Sequence, residues 1–176
     1  MTLSRGLQRI ALGAMGAFTL LAMAAYQAEV VINTTPSLPL GLYRAVDSPV
    51  VQDAYVMFCP PDSPVFEEAR RRGYLRVGFC PGGYAHMIKR MAAGPGDRVA
   101  VTSEGVYVNG RLLAMSAPMR SDGGGRLMPR FTQDRALTGS ELLLMSDVSR
   151  VSFDARYFGP LNRAQVRAVV EPVFTW

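Results

Sequence analysis

The chain has 176 residues, Lys+Arg 19 against Asp+Glu 14, a net charge of +5 and 49% apolar residues. That length supports a single domain with its own core. The positive charge is scattered, and its densest patch, Arg70-Arg71-Arg72, has no interleaved aromatic residues. Direct nucleic-acid binding is therefore excluded from the functional reading.

In chain order, the first element is an uncharged run from Ile10 to Tyr26, preceded by Arg5 and Arg9. At about 1.5 Å per residue it makes about 25 Å of helix, which is enough for one bilayer crossing. The boundaries expected are a cytoplasmic tail over residues 1–9, a transmembrane anchor over 10–28 and a translocated body over 29–176. The two arginines precede the run and Glu29 is the first charge after it, which orients the chain with its N-terminus inside. The location expected is thus an inner membrane, with lipid as a partner and the body in the periplasm. Ala22-Met23-Ala24 also has the small-x-small pattern of a processing site, so a cleavable signal peptide is the alternative.

Residues 33–41, NTTPSLPLG, carry two prolines and a glycine and read as a rigid, turning strip. Ala54–Phe58 reads as a strand ended by two prolines, residues 66–72 as a short helix, and Tyr84–Met91 as a second strand. Arg98–Thr102 and Gly105–Val108 are further strands, followed by the turn signal Asn109-Gly110. Leu112–Met115, Leu142–Met145 and Val166–Val170 complete the strand candidates, and Ser121–Gly125 reads as a flexible loop. The body is mainly β, a folded-over or barrel-like arrangement of short strands.

Cys59 and Cys80 occupy matching settings, Phe58-Cys59-Pro60 and Phe79-Cys80-Pro81, in a body expected to face an oxidising compartment. A disulfide is the leading reading, and two buried thiols are the alternative. A metal site from Cys59, Cys80 and His86 lacks a fourth ligand. No metal or other cofactor is expected.

Four segments carry a family resemblance. Thr35-Pro36-Ser37-Leu38-Pro39-Leu40-Gly41-Leu42-Tyr43 resembles the nucleophile box of membrane-bound signal peptidases, especially the conjugation-associated TraF-type branch. Asp53–Phe58 resembles the next box, although Gln52 stands where glycine is common. Lys89-Arg90-Met91-Ala92-Ala93-Gly94-Pro95-Gly96-Asp97-Arg98-Val99 resembles the general-base box, and Ser152–Pro160 the last one. Asn33-Thr34-Thr35 and the Cys-Pro pair add to the TraF-like match. Departures are Leu38 in place of a methionine, Ser146-Asp147-Val148 in place of Gly-Asp-Asn, and Ala155 in place of a serine. They favour the specialised branch over a housekeeping enzyme.

The resemblance implies a signal-peptidase-like folded β domain and a Ser/Lys dyad, with Ser37 as nucleophile and Lys89 as general base. The oxyanion donors it implies are the Ser37 N–H and the Thr35 hydroxyl, though Thr35 alternatively only caps its turn. Ser152 is implied to orient the lysine. Asp154 and Arg156 are implied to form a supporting ion pair, their alternation placing both on one side of an extended strand, with an ordinary surface pair as the alternative. Asp97 is assigned to architecture. His86 is a less favoured base because no matching acid supports a triad. An exposed lysine has a pKa near 10.4, so this chemistry requires Lys89 to be buried; its apolar flanks, Met87-Ile88 and Met91-Ala92-Ala93, fit that need.

The function implied is a serine endopeptidase that matures a conjugative pilin precursor by hydrolysis or by head-to-tail cyclisation. Components of the conjugation apparatus are implied partners. A general signal peptidase and a noncatalytic scaffold of a transfer apparatus are the alternatives.

Overall fold

Short β-branched and aromatic runs, punctuated by Gly, Pro and Asn turns, fold here into two antiparallel sheets. The computed structural model describes residues 5–27 and 30–176. In chain order the elements are α1 (Arg5–Gln27), β1 (Val30–Asn33), β2 (Gly41–Val46), β3 (Tyr55–Phe58), α2 (Pro64–Arg71), β4 (Met87–Ala93), β5 (Arg98–Val101), β6 (Val106–Val108), β7 (Arg111–Leu112), β8 (Gln133–Ala136), β9 (Glu141–Met145), α3 (Ala155–Phe158), β10 (Leu161–Asn162) and β11 (Val166–Thr175). The larger sheet has seven strands in the order β1-β2-β11-β3-β4-β9-β10, and the smaller has four in the order β7-β6-β5-β8.

Strand periodicity explains what faces inward. In β4, Lys89, Met91 and Ala93 are buried while the residues between them are only half-buried, as a period of two requires. One core gathers Val56, Phe58, Phe66, Met91, Leu144 and Tyr157 beneath the larger sheet. A second, around Val99, Val101, Val106, Leu143 and Met145, lies under the smaller sheet. The chain passes from β4 to β5 through Gly94-Pro95-Gly96-Asp97, where Gly96 takes a φ of 88° that favours glycine. Asp97 fixes that turn: Oδ2 accepts the Gly94 N–H at 2.9 Å and Oδ1 accepts the Asn109 amide at 2.8 Å.

Gly41 is required by close approach. A Cβ there would lie 2.2 Å from the Phe174 carbonyl oxygen on β11, so any side chain would push β11 away from the start of β2.

Several expectations are corrected. Among the described residues no helix is long and apolar enough to cross a membrane, so the transmembrane anchor, the inner-membrane location with its N-in topology and periplasmic body, and the lipid contact are withdrawn. Within α1, Gly13, Gly16 and Thr19 fall among the apolar residues of Ile10–Leu20. Residues 1–4 of the expected tail, and residues 28 and 29 at the expected anchor boundary, lie outside the described residues.

The segment expected to hold Asp154 and Arg156 on an extended strand is instead the one-turn helix α3. Asp154 is its N-cap, accepting the Arg156 N–H, because a short acid side chain satisfies the free N–H groups of a first turn. Ser121–Gly125 is not a loose loop. It belongs to a tight hairpin in which Ser121 pairs with Leu127, and Asp122 accepts the N–H groups of Gly124 and Arg126, each at 2.9 Å. The Tyr74 hydroxyl and the Arg126 guanidinium both donate to Asp122, holding its carboxyl well below the usual range.

Candidate active site

The β1/β2 hairpin closes at the Asn33–Gly41 pair, and its loop is the segment 34–40. Asn33, almost fully buried, organises that loop. Its Nδ2 donates to the carbonyls of Thr35 at 3.1 Å, Leu38 at 3.3 Å and Pro39 at 3.0 Å, while its Oδ1 accepts the Thr35 N–H at 3.1 Å and the Thr35 hydroxyl at 2.8 Å. The Tyr43 hydroxyl donates to the Pro39 carbonyl at 2.7 Å, and Leu38 is buried beneath the turn. Ser37 is thereby presented at the loop's crest, its Oγ 3.4 Å from the Thr35 Oγ. Among the described residues the Ser37 N–H has no acceptor.

Ser37 and Lys89 line one cleft of about 740 Å³, together with Thr35, His86, Ser152 and Tyr157. Lys89 is 4% exposed. It is buried because β4 is paired on both edges, by β3 and β9, and position 89 faces inward. Burial pushes the Lys89 ammonium down to about 8, against the pull of Asp154 and with a smaller push from Arg156. At pH 8 roughly half of such a group is neutral. Among the described residues no hydrogen bond joins Ser37 to Lys89. The two share a cleft without forming a closed dyad.

Behind the lysine lies a fully buried ion pair. The Arg156 Nε donates to Asp154 Oδ1 at 2.7 Å and its Nη2 to Oδ2 at 2.8 Å, both side chains being 0% exposed. This is a bidentate fork with no solvent screening, unlike a surface pair. Its third nitrogen, Nη1, donates to the carbonyls of Met115 at 2.7 Å and Arg150 at 3.1 Å. The Ser152 Oγ is buried and has no hydrogen-bond partner among the described residues.

Cys59 and Cys80 are joined by a disulfide. His86 lies with them, all three ligand-type atoms being within 4.8 Å of one another. The sulfurs are bonded to each other, so the cluster offers no thiolate pair to a metal. Burial, and then the Arg167 charge, hold the His86 imidazole below its ordinary value. Asp97 is not among the residues lining the cleft; it sits in the turn already described.

Asn33 and Ser146 are the site residues to which sequence reasoning assigned no role. In the sequence Asn33 stands out only as part of a motif match, and Ser146 only as a departure from one. The buried Ser146 hydroxyl donates to the Ser37 carbonyl at 2.7 Å across 109 residues of sequence, a pairing no local pattern encodes. The one available signal was an asparagine immediately before a Pro-rich turn, a residue type that hydrogen-bonds nearby backbone.

A hairpin-borne serine and a buried lysine line one cleft, and comparison with known proteins gives the family. The family profile described as signal peptidase, peptidase S26, matches residues 5–176; the chain belongs to this peptidase family. A plasmid transfer protein TraF from Escherichia coli is 51% identical over 99% of this chain and 100% of its own length. A conjugal transfer protein TraF from Agrobacterium tumefaciens (strain 15955) is 40% identical over 82% of each. Among solved structures, a signal peptidase I from Enterococcus faecalis V583 aligns with a TM-score of 0.39 and 20% identity, covering 71% of this chain and 98% of that one.

Proposed function

We propose that the chain is a serine endopeptidase in which Ser37 is the nucleophile and Lys89 the general base, with residues 29–176 forming the catalytic domain. The observation that carries this reading is the burial of Lys89 in the cleft that Ser37 also lines, with its pKa lowered to about 8. Neutral Lys89 takes the Ser37 proton as Oγ attacks a peptide carbonyl; the resulting lysinium protonates the departing amine and leaves an acyl-enzyme. The Ser37 N–H, without an acceptor at rest, is available to the oxyanion. The Thr35 hydroxyl is held by Asn33 Oδ1 and contributes once it swings toward the reacting carbonyl.

Ser152 gives the lysine a hydroxyl to settle against, a role supported by its buried, unpartnered Oγ in the cleft. Asp154 and Arg156 support the site without exchanging protons with substrate.

The substrate proposed is a conjugative pilin precursor, with components of a conjugation apparatus as partners. This rests on the identity to relatives named plasmid or conjugal transfer proteins. The acyl-enzyme is resolved by water or by the precursor's own amino terminus, which gives a cyclic product. Co-expression with candidate pilin precursors and intact-mass analysis tests the reading, since hydrolysed and cyclic products differ by one water. Processing should vanish in a folded Ser37→Ala protein and in Lys89→Arg, whose guanidinium stays charged. Full processing by folded Ser37→Ala removes the nucleophile assignment.

A further inference from the structure

We infer that Ser146 is a positioning residue for Ser37, linking the candidate nucleophile's backbone to the buried Asp154–Arg156 pair. The inference rests on the Ser37/Lys89 reading above. Ser146 follows β9 directly and is 2% exposed. A hydroxyl has one proton and two acceptor lone pairs. The Ser149 N–H at 3.1 Å and the Val148 N–H at 3.4 Å approach the acceptor side of the Ser146 Oγ. Its proton goes to the Ser37 carbonyl at 2.7 Å. The direction of that bond is thus set from both ends.

The backbone of the same residue makes the second connection. The Ser146 N–H donates to Asp154 Oδ2 at 3.1 Å, on the carboxylate that Arg156 grips with two nitrogens. A single unbroken path therefore runs from Arg156 through Asp154 and Ser146 to the Ser37 carbonyl. Topology makes the path useful: Met145, the residue before Ser146, pairs with Arg90, the residue after Lys89. One end of β9 is registered against the lysine strand, and the serine that follows it holds the nucleophile turn.

The peptide unit is planar, so holding the Ser37 carbonyl fixes the plane on the C-terminal side of Ser37. Asn33 grips the Thr35 and Leu38 carbonyls on either side. Without Ser146 the turn keeps its Asn33 frame, and so its fold, but Ser37 gains freedom about its own ψ. Attack geometry is sensitive to such slack, while binding of the rest of the substrate is not.

The test is steady-state kinetics of the full chain on the precursor it processes, with melting temperature measured on each variant. Ser146→Ala should lower kcat on the order of 10- to 100-fold. KM should stay within about twofold and the pH midpoint set by Lys89 should not move, because neither substrate contacts nor the base are altered. Ser146→Thr, which keeps the donor, should recover most of the rate. If Ser146→Ala melts below the assay temperature, Ser146→Cys, which keeps the volume but donates weakly, carries the same expectation. Wild-type kcat in the donor-deficient variant, a loss confined to KM, or an equal kcat loss in folded Ser146→Thr overturns the inference. Ser37→Ala run alongside separates the two levels: turnover there refutes the dyad, whereas a dead Ser37→Ala with an unaffected Ser146→Ala refutes only the positioning role.

Discussion

Lys89 occupies an inward position of a central strand, and burial alone accounts for most of its lowered pKa. The folded value of about 8 lies below the ordinary 10.5. Between those two pH values the unfolded chain holds a proton that the folded chain has released, so stability rises with pH across that window. Below about pH 8 the full penalty of a buried ammonium is present. Lys89→Met should therefore stabilise the protein at pH 7 by on the order of 3 kcal/mol, a gain that shrinks toward pH 10.5. Urea unfolding at pH 7 and pH 10 reads this directly, and the wild-type rate of precursor processing should rise through a midpoint near pH 8. The burial was legible beforehand, since an apolar strand pattern surrounds the lysine. The roles of Asn33 and Ser146 were not, because one acts through a tight turn's carbonyls and the other across 109 residues.

At the level of elements, β3, β5, β6 and β9 were legible because each is a short apolar run bounded by turn residues. β8 escaped notice because its sequence, Gln133–Ala136, is polar and mostly exposed on a sheet edge. Ser152-Phe153-Asp154-Ala155-Arg156 alternates like a strand, while the acid at its centre caps the helical turn α3. The α1 run reads as a span on length and absence of charge alone. The disulfide ties the residue after β3 to the one before the turn at Pro81–Gly83, enclosing α2, with a sequence separation of 21. Replacing both cysteines by serine should cost about 3 kcal/mol by freeing that loop in the unfolded chain. Urea unfolding measures the loss, and limited proteolysis should then cut within residues 60–80. An unchanged unfolding midpoint would mean that the loop's native packing, not the covalent link, restrains it.

For the whole molecule, Arg156 is the fastener between the two cores. Its α3 neighbours divide between them, Ala155 packing with the second core and Tyr157 with the first. Its Nη1 reaches the carbonyls of Met115 and Ala117, in the segment that follows β7 of the smaller sheet. Arg156→Ala leaves the Asp154 carboxylate buried without its partner, so a loss of about 3–5 kcal/mol is expected. Arg156→Lys should recover only part of it, because an ammonium cannot form the fork. Amide hydrogen exchange in Arg156→Ala should accelerate in β5–β8 as well as around α3; acceleration confined to α3 would show that the two cores hold together without the arginine.

The place of β11 in the larger sheet dictates when this peptidase fold is completed. β2 and β3 do not pair with each other; each pairs with β11, which lies between them. The hairpin bearing Ser37 hangs from β2, and the strand bearing Lys89 hangs from β3. Until β11 is in place these two halves have no common sheet, and their joining waits on pairings between residues more than a hundred positions apart. A copy in which β11 is undocked therefore lacks a continuous sheet between Ser37 and Lys89.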